Sequence, residues 1–182
     1  MLTLLSLCLL LRTKKTEDDL NHYQTSASCL YLNTWIMMIL GRSDRVALPE
    51  LGLKDLHAKI DTGAYTCSLH CSRAEVVDGK LEFVLLDEEH PEFTGMKFVF
   101  DKFTQREIKN SFGIAEMRYI IRTSVQIFDK TIRAEFSLSS RDNLRFPVLL
   151  GRKFLRRRFI IDVTKKNLSF QSRLAEKSSR NN

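Results

Sequence analysis

The chain has 182 residues, 43% of them hydrophobic, which is enough for one domain with a core of ordinary size and short extensions. With only Gly 7 and Pro 3, the composition excludes a collagen-like or low-complexity chain. The formal net charge of +7 leaves binding to nucleic acid or to an acidic partner open.

The first 36 residues do not match a targeting or membrane segment. Residues 1–11 are apolar but lack a preceding basic region and a following small-residue cleavage site. Residues 29–40 are too short to span a bilayer, which takes about 20 apolar residues. We therefore expect no membrane association and a poorly ordered N-terminal extension over residues 1–36. Such an extension would be explained by a natural reading frame that begins at Met37 or Met38.

From Met38 onward, short apolar runs with period-two alternation are separated by Gly, Pro and Asp turn signals, a pattern that predicts β-strands. Asp78-Gly79 predicts a tight hairpin, because both residues tolerate positive φ. A second hairpin is expected over residues 127–132, and residues 109–113 are the best candidate for a flap. The predicted strands are 38–40, 45–48, 56–60, 64–69, 81–86, 97–100, 103–109, 115–128, 132–138, 159–163 and 168–170.

One short helix, Arg152 to Arg158, follows Gly151, and residues 171–182 are predicted to be a polar, frayed C-terminal tail. The fold class is therefore all-β, with the strands closed or folded over into a barrel. The expected organisation is an extension over residues 1–36, one domain over 37–170 and the tail.

The segment with the most specific chemistry is Lys59-Ile60-Asp61-Thr62-Gly63-Ala64, a carboxylate on a tight turn at the end of an apolar strand. Gly63 permits close approach of another backbone or a ligand, since it has no Cβ. Two carboxylates meeting there could share one proton and act as acid and base together. The alternative is that Asp61 only caps its own turn by accepting backbone N–H groups.

Asp61-Thr62-Gly63-Ala64 resembles the active-site signature of aspartic proteases, and residues 148–152 resemble the hydrophobic-hydrophobic-Gly element that packs behind that loop in retropepsins. Several segments over about 39–170 are also similar, in order, to the bacterial and archaeal family catalogued as ATP-dependent zinc proteases and grouped with retropepsin-like aspartic endopeptidases. They are Leu40-Gly41-Arg42, residues 46–52, residues 58–64, Ser68-Leu69-His70, residues 134–138 and Ser140-Arg141.

This resemblance implies an acid-protease barrel whose catalytic residue is Asp61, supplied by each subunit of a homodimer because the chain has one Asp-Thr-Gly. It implies that the active-site loop consists of Thr62, Gly63 and Ala64. It also implies that residues 149–152 support that loop from beneath; these are Leu149, Leu150, Gly151 and Arg152. The substrate would be a peptide or protein, and the resemblance also implies association with an ATP-grasp ligase.

The sequence departs from the retropepsin pattern at Tyr65, where an acidic residue often pairs with the Arg after the second-motif Gly. Arg152 therefore lacks its expected partner. The resemblance also covers Arg106, Arg118 and Arg141, for which surface charge is the simplest explanation and no role can be derived.

Neither zinc nor ATP follows from the residues. The chain contains no His-Glu-x-x-His and no phosphate-binding Gly-x-x-x-x-Gly-Lys-Ser/Thr motif. Cys67, His70 and Cys71 lack a fourth ligand at a useful spacing. We expect no metal and no cofactor, and two reduced cysteines in a cytoplasmic protein.

Two other functions stay open from the sequence. The same barrel could bind an extended peptide by strand addition without cutting it. The basic stretch over residues 152–158 could bind nucleic acid, but no aromatic and basic platform accompanies it, so nucleic acid is the weaker expectation.

Overall fold

The computed structural model describes residues 37–109, 113–140 and 146–180. Residues 1–36, predicted to be an extension, lie outside this range, as do residues 110–112 of the candidate flap and Arg141. Among the described residues, neither helix is long and apolar enough to cross a membrane.

Eleven strands and two helices make up the described part of the chain, with one 3-10 turn at Pro49–Leu51. The first strands are β1 (Met38–Gly41), β2 (Ser43–Leu48), β3 (Leu53–Asp61), β4 (Cys67–Val77), β5 (Lys80–Leu85) and β6 (Lys97–Phe100). Then come β7 (Thr104–Lys109), β8 (Ala115–Ile127), β9 (Lys130–Ser139), β10 (Val148–Gly151), α1 (Arg152–Leu155), β11 (Phe159–Asp162) and α2 (Leu168–Arg180).

Six of these strands close into a barrel, in the order β10, β3, β2, β8, β9 and β4, because β10 pairs with both β3 and β4. β5 and β6 extend the sheet beyond β4, and β7 pairs with β8. β1 and β11 form a separate two-stranded parallel sheet. The predicted all-β closed barrel is confirmed.

Alternation of apolar and polar residues produces the strands, as the sequence indicates. In β5, Leu81, Phe83 and Leu85 are buried while the residues between them are partly exposed. The hairpin before it turns at Asp78 and Gly79, whose φ angles are 50° and 75°. Because both angles are positive, the turn matches the right-handed twist of its two strands. The strand prediction therefore succeeds where a turn signal and a buried face agree.

The C-terminus differs from the prediction. Residues 168–170 form the first turn of α2 rather than a strand, and the described part of the predicted frayed tail continues that helix. Asp44, which is only 1% exposed, accepts hydrogen bonds from the backbone N–H groups of Ser169 (2.8 Å) and Phe170 (3.1 Å). A distant carboxylate thus caps α2, and acidic caps stabilise helix N-termini. The predicted helix at residues 152–158 also ends early, at Leu155.

Candidate active site

Asp61 is the last residue of β3, and its parallel neighbour on β10 is Gly151. Buried Ala58 and Ile60 fix the strand in the core, so the carboxylate sits where the chain leaves the barrel. Its Oδ1 accepts backbone hydrogen bonds from Gly63 (3.0 Å) and Ala64 (3.2 Å). The side chain keeps 22% of its surface exposed. The turn-capping geometry is therefore present, and it orients the carboxylate without burying it.

A lysine accompanies the carboxylate. Lys59 precedes Asp61 by two residues, so both side chains lie on one face of β3, and its Nζ is 3.6 Å from Oδ2 of Asp61. Half of the Lys59 side chain is exposed, so solvent screens this ion pair. Asp61 thus carries two backbone donors on one oxygen and a loosely held cation beside the other.

Arg152, at the start of α1, holds the active-site loop directly. Its backbone N–H donates to the carbonyl of Ala64 (2.9 Å), and its Nη1 donates to the carbonyls of Thr62 (3.0 Å) and Gly63 (2.7 Å). The missing acidic partner is therefore replaced by backbone oxygens. Tyr65, which occupies the acidic position, is 55% exposed.

Residues 149–152 lie directly behind the loop. Leu150 is fully buried and Leu149 is 8% exposed. A Cβ added to Gly151 would lie 2.3 Å from the carbonyl oxygen of Thr66, so only glycine lets the loop come this close. The structure thus brings together all eight residues predicted for the catalytic position, its loop and its support.

An open cleft of about 640 Å³ is lined in part by Asp61. Its charged lining residues are Asp61, Glu107, Lys109, Arg118 and Arg152. Arg118 is only 6% exposed and donates through Nε (2.9 Å) and Nη2 (2.7 Å) to one oxygen of Glu116. A buried, paired arginine in this cleft is more than surface charge, and its burial is not evident from the local sequence.

A second polar centre, which the sequence analysis missed, surrounds Glu135 on β9. One of its oxygens accepts from Arg122 (2.6 Å to Nη2), and the other accepts from Lys153 (2.6 Å) and Arg106 (3.3 Å). Glu135 is 12% exposed, and Lys153 and Arg122 lower its pKa from 4.5 to about 2. Arg106 therefore has a place in an ion-pair network that links β7, β8, β9 and α1. Its long-range partners cannot be predicted from local sequence.

The residues do not fit the zinc that the older family name implies. The Nε2 of buried His70 lies 2.6 Å from Oδ2 of Asp87, and its Nδ1 lies 3.3 Å from the carbonyl oxygen of Ser139. Burial raises the pKa of the Cys67 and Cys71 thiols to about 11. Within the described ranges, no three His, Cys, Asp or Glu side chains are arranged to hold a metal ion.

The closed barrel, together with the Asp-Thr-Gly turn seated against Gly151, defines the class: a single-domain retropepsin-like fold. The model of the RimB-like family, described as retropepsin-like aspartic endopeptidase RimB, matches residues 39–172. The chain belongs to this family.

Curated relatives carry a different name. The chain is 34% identical over 128 residues to a probable alpha-L-glutamate ligase of Desulfotalea psychrophila, a match covering 68% of this chain. It is 30% identical over 129 residues to a protein of the same name from Parasynechococcus marenigrum. The matched region spans 28% of the length of each relative.

Among solved structures, a Legionella pneumophila protein of unknown function has a TM-score of 0.54 to this chain and is 22% identical. The similarity covers 72% of this chain and 98% of that protein. It supports the fold alone.

Proposed function

We propose that the protein is an aspartic endopeptidase that hydrolyses peptide bonds as a homodimer, with one Asp61 from each copy. The observation that carries the proposal is the Asp61 carboxylate, oriented by two backbone N–H groups at the end of a barrel strand and exposed to an open cleft. The family membership supports the same chemistry.

The chemistry requires a water molecule between two carboxylates, one ionised and one protonated. The ionised carboxylate takes a proton from the water as the oxygen of that water attacks the peptide carbonyl. The protonated carboxylate gives its proton to the carbonyl oxygen. Collapse of the tetrahedral intermediate breaks the C–N bond. The carboxylate that took the proton from water gives it to the leaving amine. Gly63 and Ala64 hold Oδ1 of Asp61 in place throughout.

The homodimer is proposed because one copy of the chain has one Asp-Thr-Gly turn. Thr62 and Gly63 are exposed beside Asp61, so the loop tip is accessible to a second copy. Within the cleft, Glu107 is the other carboxylate among the described lining residues. It lies on β7, and it defines the competing arrangement in which both carboxylates come from one chain.

We propose that the substrates are polypeptides bearing added glutamate residues, and that the protein works alongside a glutamate ligase. The support is the name of the curated relatives, together with Lys109, Arg118 and Arg152 in the wall of the cleft. Cations placed in a cleft attract acidic substrates and raise their association rate.

The test uses wild type, Asp61→Asn and Glu107→Gln with peptides that end in several glutamates, and with matched peptides that end in glutamines. We expect cleavage of the glutamate peptides by wild type and Glu107→Gln, and none by Asp61→Asn. Cleavage that survives in Asp61→Asn would refute the proposal. Loss of cleavage in both Asp61→Asn and Glu107→Gln would favour the single-chain arrangement.

A mixing experiment tests the dimer. Wild type is incubated with increasing amounts of inactive Asp61→Asn at constant total concentration, and mixed dimers are expected to be inactive. Activity should then fall as the square of the wild-type fraction, whereas independent monomers give a linear fall. Binding of either peptide series without cleavage by wild type would favour a non-catalytic peptide-binding module.

A further inference from the structure

A second cavity, of about 320 Å³, lies between α1 and the β8–β9 pair. We call it the α1 pocket, and it is lined by Cys67, Arg122, Arg133, Ala134, Glu135, Lys153, Phe154 and Arg158. It shares no lining residue with the Asp61 cleft. Cavities of this size accept small molecules. The α1 pocket is therefore a candidate binding site separate from the proposed active site.

The wall of the α1 pocket carries four cationic side chains and one carboxylate. Glu135 is already engaged by Arg122 and Lys153, and by Arg106 from outside the pocket. Its pKa of about 2 keeps the carboxylate ionised, and both of its oxygens are already paired with these cations. Glu135 consequently cannot neutralise the other two arginines of the wall.

Those two arginines are Arg133 and Arg158. Arg133 has one weak ion pair, 3.4 Å long, with Glu50, whose same oxygen accepts a 2.5 Å hydrogen bond from Ser124. Arg158 donates to the carbonyls of Lys153 (3.4 Å) and Phe154 (2.8 Å), which bear no net charge. In the described part of the chain, no ion pair to a carboxylate is found for Arg158. The pocket therefore keeps a net positive charge.

The floor of the pocket is apolar. Phe154 is 3% exposed and Cys67 is 2% exposed. The pKa of the Cys67 thiol is raised to about 11, so this group stays neutral and adds no negative charge. Charges beside such a surface attract more strongly than charges in bulk water, because the local dielectric constant is lower.

We propose that the α1 pocket binds a small organic anion bearing at least two phosphate or carboxylate groups. The planar guanidinium groups of Arg133 and Arg158 can each hold such a group through two parallel hydrogen bonds. The apolar floor accommodates the body of the ligand. This inference does not depend on whether Asp61 cuts peptides.

The test is isothermal titration calorimetry at physiological salt, with inorganic pyrophosphate and citrate as the phosphate and carboxylate probes. Wild type is compared with Arg133→Gln and Arg158→Gln. Arg73→Gln is the matched control, because Arg73 is 70% exposed, pairs with Glu75 and does not line the pocket. Thermal unfolding of each variant in the absence of anion shows that it is folded.

We expect saturable binding of one anion per chain by wild type and by Arg73→Gln. Each pocket variant should lose at least about tenfold in affinity, which corresponds to about 1.4 kcal/mol, since each loses a charge-assisted hydrogen bond to the anion. The preferred probe tells which anionic group the site selects. Equal weakening in all three variants, or absence of saturation, would show only general surface charge and would overturn the proposal. Tight binding of an RNA oligonucleotide with no binding of either small anion would also overturn it.

Discussion

Replacing Glu135 by Gln tests whether its ion-pair network stabilises the barrel. Gln keeps the shape of the side chain and removes the charge that Lys153, Arg122 and Arg106 share. The folded-state pKa of about 2, against 4.5, corresponds to an upper limit of about 3 kcal/mol. The three partner side chains are 47–69% exposed, so screening by solvent reduces the expected loss to about 1–2 kcal/mol.

The pH dependence provides the sharper measurement. Because the pKa of Glu135 is depressed in the folded state, its stabilisation is complete above about pH 4.5 and is lost as the pH falls toward 2. Urea unfolding of wild type and Glu135→Gln should therefore differ most near pH 7. The difference should shrink steadily below pH 4.5.

Glu82→Gln is the matched control. Glu82 makes one ion pair, 2.5 Å long, with Lys97, and its side chain is 19% exposed. A single pair with an exposed lysine should contribute about 0.5 kcal/mol. Equal losses in both variants at pH 7, or a Glu135→Gln loss that persists unchanged at pH 2.5, would refute the reasoning.

Three further changes test other parts of the structure. Asp44→Ala removes the acceptor at the start of α2, and we expect a loss of about 2 kcal/mol and faster hydrogen exchange throughout that helix. Gly151→Ala places a Cβ against the backbone of the active-site loop and should cost about 1–3 kcal/mol in thermal unfolding. In Gly63→Ala the added Cβ meets only an Asp61 oxygen at 3.3 Å, so the stability of the single chain should change little while dimerisation, followed by sedimentation, weakens. Cys67 and Cys71 should react with iodoacetamide at pH 8 only after unfolding, because burial raises their pKa to about 11.

The sequence was sufficient for the features that depend on near neighbours. Apolar alternation predicts the strands that contain Leu81 and Ile121, and Asp78-Gly79 predicts its hairpin, because both signals are local. The position of Asp61 at a strand end follows from the same alternation. The pairing of Asp61 with Gly151 in neighbouring strands could be expected only from the resemblance to retropepsins, since 90 residues separate the two.

The sequence was insufficient for α2, whose helical state depends on distant contacts. Asp44 caps the helix from β2, and the guanidinium groups of Arg45 and Arg173 lie 5.1 and 5.8 Å from the ring centre of Phe170. These cation–π contacts fix the first turn against the barrel. Residues 168–170 alone carry a pattern too short to distinguish strand from helix, so tertiary structure decided the outcome.

Arg152 and Lys153 show why charge counts alone do not describe the basic stretch. These adjacent residues begin α1, yet the side chain of Arg152 binds the carbonyls of the active-site loop and that of Lys153 binds Glu135. α1 thus joins the Asp61 turn to the network that includes Arg106 on β7, the strand leading to the candidate flap. A shift of α1 would move both sets of contacts together. In the homodimer that we propose, this connection would hold the Asp61 loop in place before the second subunit binds.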